Sequence, residues 1–350
     1  MLATEHLKLD SYLRTLVEKA SFLTERLNHE VIPTGCKSDI SSVDSHLEFW
    51  REVLAKGNDS VLQQRLAADD WDEDKLRVLL GAVEYPHSKP LPSWAQILKL
   101  VLQATEKPLS IDTESNSKIP FEPFYQPFIQ VAQNLLSSRI NLNILSEEAQ
   151  KSLWSSLTKR LRNIATPTLF KEFHQFRSTG NPLQDFLLIQ LQGKNSQKKY
   201  HAFLQHLSQK GLLDLFDKYP VLGKLLATAI DYWVDATAEF IQRLRTDWLA
   251  IATLFSPQTA LQQVVELKAN LSDLHNQGRS VIALTFDTGL QLVYKPKNME
   301  MELAYNKVIS WCNEHGSPLP LKTFTVYLKP NITMKKMMKQ QQNVITLGLE

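Results

Sequence analysis

Two neighbouring stretches gather most of the side chains able to do chemistry. Asp273-Leu274-His275-Asn276-Gln277-Gly278-Arg279-Ser280-Val281 brings together a carboxylate, an imidazole, a glycine and a guanidinium, and Gln291-Leu292-Val293-Tyr294-Lys295-Pro296-Lys297 adds two lysines shortly after. Asp273 and His275 lie two apart, a spacing that puts both side chains on one side of an extended segment, where they can act together. The same pair also suits a turn aspartate and a surface histidine. Gly278 permits a backbone geometry that other residues resist and leaves room for a phosphate to approach, or serves as a plain turn glycine. Lys295 offers a point charge, although a lysine at the end of an edge strand is also a common guard against edge pairing.

The elements that must position these groups are short strands. Ser280 to Phe286 and Leu290 to Tyr294 are rich in β-branched and aromatic residues, and Asp287-Thr288-Gly289 supplies turn chemistry, which predicts a hairpin. Pro296 stops the second strand and fixes the chain direction where the lysine ammonium must point. A lysine at the end of that strand, followed by a helix, is the layout with which protein kinases hold ATP phosphates. That layout needs a carboxylate from the helix. Glu300 and Glu302 are the candidates, and the spacing does not choose between them; Glu302 joins Lys295, Gly278 and Arg279 in the expected nucleotide-binding set.

Before the hairpin the apolar period is helical almost everywhere. Ser146 is placed to cap a helix that carries Leu153, Leu157, Leu161 and Ile164 on one face, with Glu147 and Glu148 in its first turn. The helix expected after Tyr219-Pro220 runs for about nine turns, with apolar residues from Ile230 to Phe255 recurring at three- and four-residue steps and Trp233, Phe240 and Trp248 as core. Ser256-Pro257 ends that helix and starts another. Glu106 to Ile119 and Gln192 to Lys199 read as exposed loops. The period changes near Arg279, after which come hairpin, helix from about Asn298 to His315, and a strand from Leu321 to Leu328. The expected class is α+β: a large all-α N-terminal portion over 1–270, and the start of a kinase-like core over 271–330 with the hairpin, helix and strand of a kinase N-lobe.

The stretch "SDLHNQGRSV" with "G-L-Q-L-V-Y-K-P-K" resembles the signature "GD-x-H-x-x-G-R-x-V … G-x-K-L-V-Y-K-P-R" of class II lanthipeptide synthetases, in their N-terminal dehydratase domain. Pro120-Phe121-Glu122-Pro123-Phe124, Thr166-Pro167-Thr168-Leu169, Tyr219-Pro220-Val221-Leu222 and Trp311-Cys312-Asn313-Glu314-His315-Gly316 also resemble that domain, so the likeness covers roughly 110 to 330. It implies an ATP- and Mg²⁺-dependent enzyme that phosphorylates Ser and Thr of a leader-bearing precursor peptide. Elimination of the phosphate then leaves dehydroalanine or dehydrobutyrine. By the same resemblance Asp273 and His275 line the catalytic site, with proton transfer and orientation of the phosphorylated intermediate as their roles. Lys297 stands where the family usually has Arg, which weakens any bidentate phosphate contact there. The family's catalytic-loop Asp, His and Asn, its metal-binding Asp and its zinc cyclase domain have no counterpart in these residues. The tail over 331–350, with its run of Met, Lys and Gln, departs from the family pattern and reads as translation in a shifted frame. The resemblance therefore implies a truncated, N-terminal dehydratase fragment, inactive alone or completed by a separately encoded remainder. The alternative is a catalytically inactive helical module that binds a peptide.

Composition bounds the remaining classes. In 350 residues, 43% are apolar and 22% charged, ordinary for a soluble globular protein, and a net charge of +2 is too small and dispersed for a nucleic-acid partner. Cys36 and Cys312 lie far apart in sequence with no full set of metal ligands about either, so no zinc is expected and both read as free thiols. Glu5, Lys8 and Asp10 interrupt any signal peptide, and Val221 to Val234 is too short to span a bilayer, so the expected location is cytoplasmic.

Overall fold

The structure, a computed structural model, describes residues 2–34, 40–105, 119–178, 195–297, 299–329 and 332–336. Cys36, most of the expected loop at 106–119 and most of the tail lie outside these residues. The fold is α+β, with a large helical N-terminal portion and antiparallel sheets. Two compact units divide the chain, one formed by Met1–Phe124 and Thr168–Thr228, the other by Tyr125–Pro167 and Ala229–Glu350.

In the first unit, helices α1 (Leu2–Lys19), α2 (Leu23–Leu27), α3 (Ile40–Ala55), α4 (Asp59–Ala67), α5 (Glu73–Leu80) and α6 (Ser93–Ala104) precede the start of α7 (Glu122–Arg139). Strands β1 (Ile32–Pro33) and β2 (Val83–Glu84) form a small antiparallel ladder among them. Leu13, Leu16 and Val17 of α1 and Leu98 and Val101 of α6 are buried at the three- and four-residue steps that make one helix face apolar. Side chains cap the helices in between: Asn58 accepts from the Val61 N–H and Asp72 from the Lys75 N–H. Phe121 is fully buried with φ 57°, a left-handed conformation costing about 1–2 kcal/mol for a non-glycine residue. Its surroundings hold it there. Tyr200 Oη accepts from its N–H at 2.7 Å, and Phe170, Phe173 and Phe203 pack edge-on around the ring.

The rest of the first unit comes from the second half of α8 (Glu147–Ser178), α9 (Asn195–His206), a π-turn at Leu207–Gly211, α10 (Leu212–Lys218) and the start of α11 (Pro220–Thr246). The expected loop over Gln192 to Lys199 is helical from Asn195 onward, as Gln197, Lys198 and Lys199 favour.

The second unit begins with α7 beyond Tyr125 and the first half of α8. Ser146 caps α8 as its position implies, accepting from the Ala149 N–H at 3.2 Å. The buried stripe runs through Leu153, Leu157, Leu161 and Ala165; Ile164 lies only partly buried, because the true repeat here is four. The long apolar pattern after Pro220 is two helices, α11 and α12 (Trp248–Phe255), interrupted at the buried Asp247. Trp233 and Phe240 are core, whereas Trp248 is partly buried against Phe286 and donates its indole N–H to Leu261 O. Ser256 does not start another helix. Its hydroxyl bonds Thr259 O in a turn that leads into a strand, β3 (Val264–Lys268), which the helical reading missed.

β3, β4 (Ile282–Phe286), β5 (Gln291–Lys295), β6 (Val326–Lys329) and β7 (Ile332–Lys336) form one antiparallel sheet in the order β3-β4-β5-β7-β6. Ile282, Leu284 and Phe286 of β4 and Leu292 and Tyr294 of β5 are buried in the alternation a half-buried strand requires. Gly289, at φ 79°, closes the predicted turn, with Phe286 N–H donating to Leu290 O at 2.8 Å. The helix after the hairpin, α13 (Glu300–Glu314), ends at Gly316, whose φ of 84° gives the helix its stop. Asn306 and Asn313 then tie the following chain back to α13 through paired hydrogen bonds to Phe324 and Leu321. That pinning explains why the strand expected from Leu321 starts only at Val326.

Candidate functional site

The hairpin brings Lys295 to the end of β5, its backbone in register with Thr333 of β7. β5 is an inner strand, flanked by β4 and β7, so the edge-guarding role open to a terminal lysine does not apply. Lys295 Nζ lies 3.8 Å from Glu302 Oε1, and Lys297 Nζ lies 3.2 Å from the same oxygen. Burial works against ionisation of Glu302, but its own backbone N–H and the two lysines outweigh it and hold the carboxyl below its ordinary range. At 3.8 Å the Lys295 pair is an ion pair without a hydrogen bond, and the side chain keeps a quarter of its surface.

The Asp273–Arg279 stretch forms a closed three-residue loop. His275 N–H donates to Arg279 O at 2.9 Å, Arg279 N–H donates to His275 O at 2.8 Å, and Asn276, Gln277 and Gly278 all have positive φ, at 41°, 64° and 90°. Gly278 is favoured by its φ, and a side chain there would also press on the movable end of Arg160. A Cβ there would stand 2.8 Å from Arg160 Nη1 and 3.2 Å from Tyr232 Cβ. Asp273 and His275 are both exposed on this loop, and no hydrogen bond or ion pair joins their side chains. Ser272 Oγ holds the approach to the loop by accepting from the Val281 N–H.

A chain of charged contacts links the loop to the strand carrying Lys295. Arg279 donates from Nε to Glu239 at 2.9 Å and from Nη1 to Asn276 O, so its guanidinium is committed to holding the loop on α11. Arg243, one turn along α11, pairs with the other oxygen of Glu239 and donates to Tyr294 Oη at 3.0 Å. Tyr294 is the residue before Lys295. Its ring packs 5.0 Å from Phe240, and burial, partly offset by Arg243, pushes its hydroxyl pKa up. The network fixes both the loop and the end of β5 to one helix face. A cleft opens between them, lined by Ser156, Thr237, Gly278, Arg279, Tyr294 and Pro296.

The site residues named from sequence thus fall into three arrangements. Lys295 and Glu302 come together, Gly278 and Arg279 build the loop and the cleft wall, and Asp273 and His275 stand exposed at the loop's start. Arg160, Glu239 and Arg243 are contributions that the motifs do not contain. Glu239 and Arg243 carry a helical pair spacing that signals mutual contact, but nothing in the sequence pairs them with Arg279 or Tyr294. Among the described residues no group of His, Cys, Asp and Glu is arranged to hold a metal ion, and no helix is long and apolar enough to cross a membrane. No curated protein matches the chain. Residues 219–341, spanning α11, the loop, the hairpin and Lys295, are similar to a family described as a domain of unknown function, DUF4135.

Proposed function

We propose that the chain carries the helical portion and the phosphate-holding hairpin of a dehydratase of the class II lanthipeptide synthetase type, acting on Ser and Thr of a leader-bearing precursor peptide. One observation carries the reading: a lysine at the end of the hairpin's second strand, 3.8 Å from a carboxylate on the helix that follows. The long pair leaves the ammonium hydrogens available to a phosphate oxygen, while Glu302 fixes the side chain's direction. These residues fit the phosphate end of ATP. Among the described residues no group of three or more His, Cys, Asp or Glu is placed to hold Mg²⁺, so no step here runs through the metal.

ATP, when bound, supplies the phosphoryl group. The chain's own residues then hold and orient: Lys295 neutralises phosphate charge, and Gly278 keeps the loop open for its approach. His275 offers an imidazole for proton transfer, with Asp273 two residues before it in the chain. In elimination a base takes the α-proton of phosphoserine or phosphothreonine, the C–H electron pair becomes the π bond of the alkene, and the β-carbon–oxygen bond breaks with its own electron pair leaving on the phosphate.

The metal ligands, for which the described residues form no group of three or more, and the catalytic base for phosphorylation come, in this reading, from further polypeptide. An exposed apolar stripe on α13, made of Met301, Tyr305, Val308 and Trp311 at 57–80% exposure, supports a further polypeptide packing there. The test is mass spectrometry of a Ser/Thr-rich precursor incubated with ATP and Mg²⁺, with this chain alone and with a polypeptide carrying the rest of the domain. Phosphate gain and water loss are expected only with both. Unchanged precursor in the combined reaction overturns the dehydratase reading, and modification by the chain alone overturns the need for a remainder.

A further inference from the structure

Arg160 is charged and half-withdrawn from water. It stands on α8 one turn beyond Ser156 of the cleft, with its guanidinium against Gly278. Its neighbours Arg279 and Arg243 share Glu239, but among the described residues no carboxylate comes within ion-pair distance of Arg160. Burial pulls its pKa down, and only Tyr232 acts against that. Withdrawing a guanidinium from water with nothing opposite costs stability, which a site recovers when the anion arrives with its ligand. A second set of donors lies on the loop whose Gly278 meets the Arg160 guanidinium. The backbone N–H groups of Asn276, Gln277 and Gly278 make no hydrogen bond within the described residues, in a run of left-handed backbone of the sort that gathers N–H groups around anions.

We propose that Arg160 and the Asn276–Gly278 loop form a second anion site, separate from Lys295, that receives the phosphate monoester of a phosphorylated Ser or Thr side chain. The identity of the ester rests on the dehydratase reading; the binding of a phosphate there does not. A planar guanidinium offers two parallel donors to a phosphate, and the loop carries His275 on its first residue, so an ester held here lies beside the group suited to its α-proton.

The measurement is a titration of the unmutated chain, following the Arg160 guanidinium resonances by NMR, with inorganic phosphate, a phosphoserine peptide or ATP as probe. A saturable shift with phosphate, reached at lower concentration with the phosphoserine peptide, is expected, and it should persist in Lys295→Met. Arg160→Gln should weaken phosphoserine-peptide binding at least about tenfold, with Arg160→Lys recovering part of it. If Arg160→Gln does not fold, the resonances of the unmutated chain decide alone. An Arg160 signal that ignores phosphate and peptide, or moves only with ATP, overturns the proposal. Because the Lys295→Met arm reads nucleotide contact separately, failure of the nucleotide reading leaves this site standing, and the reverse.

Discussion

Lys224 in the first unit and Lys295 in the second are the same residue put to opposite uses. Lys224 is 4% exposed, donates to Glu25 and to Ala20 O at 3.1 Å, and lies over the rings of Phe22 at 3.9 Å and Trp94 at 5.5 Å. Its donors are spent on the fold. Lys295 meets its carboxylate at 3.8 Å and keeps a quarter of its surface. A buried cation is tolerated only when its surroundings replace water, and those same contacts leave nothing for a ligand. A partly exposed cation with one loose partner is held in direction and remains able to bind.

The largest effect that sharpens this contrast is expected at Lys224. Lys224→Met leaves Glu25 without its cation, and a denaturant melt should show a loss of about 3 kcal/mol, the low end for breaking a buried pair because Glu25 keeps some exposure. The pH response gives a second reading of the same environment. Desolvation holds the Lys224 pKa below its ordinary value against the pull of Glu25, so just below about pH 10.4 the unfolded chain binds more protons than the folded one, and stability rises with pH there. Lys224→Met should flatten that rise. An unchanged slope would mean that Lys224 is not the group responsible.

A smaller loss is expected at the loop. Gly278→Ala forces a side chain into φ 90° and toward the movable end of Arg160, costing about 1–2 kcal/mol in the same melt. A neutral outcome would show that the loop relaxes and that its left-handed run is not demanded by the packing around Arg160. The smallest change belongs to Lys295→Met, which should move stability by less than about 1 kcal/mol, since a loose and partly exposed pair contributes little. A loss as large as that of Lys224→Met would erase the distinction between the two lysines.

What the sequence made legible follows the range of the interaction. The β4–β5 turn and the Ser146 cap each depend on residues a few positions apart, and both are readable in the sequence. The break at Asp247 was not, because apolar periodicity runs straight through it. β3 was hidden by its neighbours' helical spacing and is fixed by pairing with distant Ile282–Phe286. The site divides the same way. Lys295 and a carboxylate on the next helix were expected from local order, with Glu300 and Glu302 unresolved, and the coordinates place Glu302 in the pair. The Arg279–Glu239–Arg243–Tyr294 chain joins segments about forty to fifty residues apart, and only folding reveals it.

The most direct test of the central claim is the ATP affinity of the parent chain and of Lys295→Met by titration calorimetry, run beside thermal melts of both. Binding at least about tenfold weaker in the variant, with the melts coinciding, is the expected result for a charge-assisted phosphate contact. Equal affinity with coinciding melts would contradict the account and leave Lys295 as a charge that holds only Glu302.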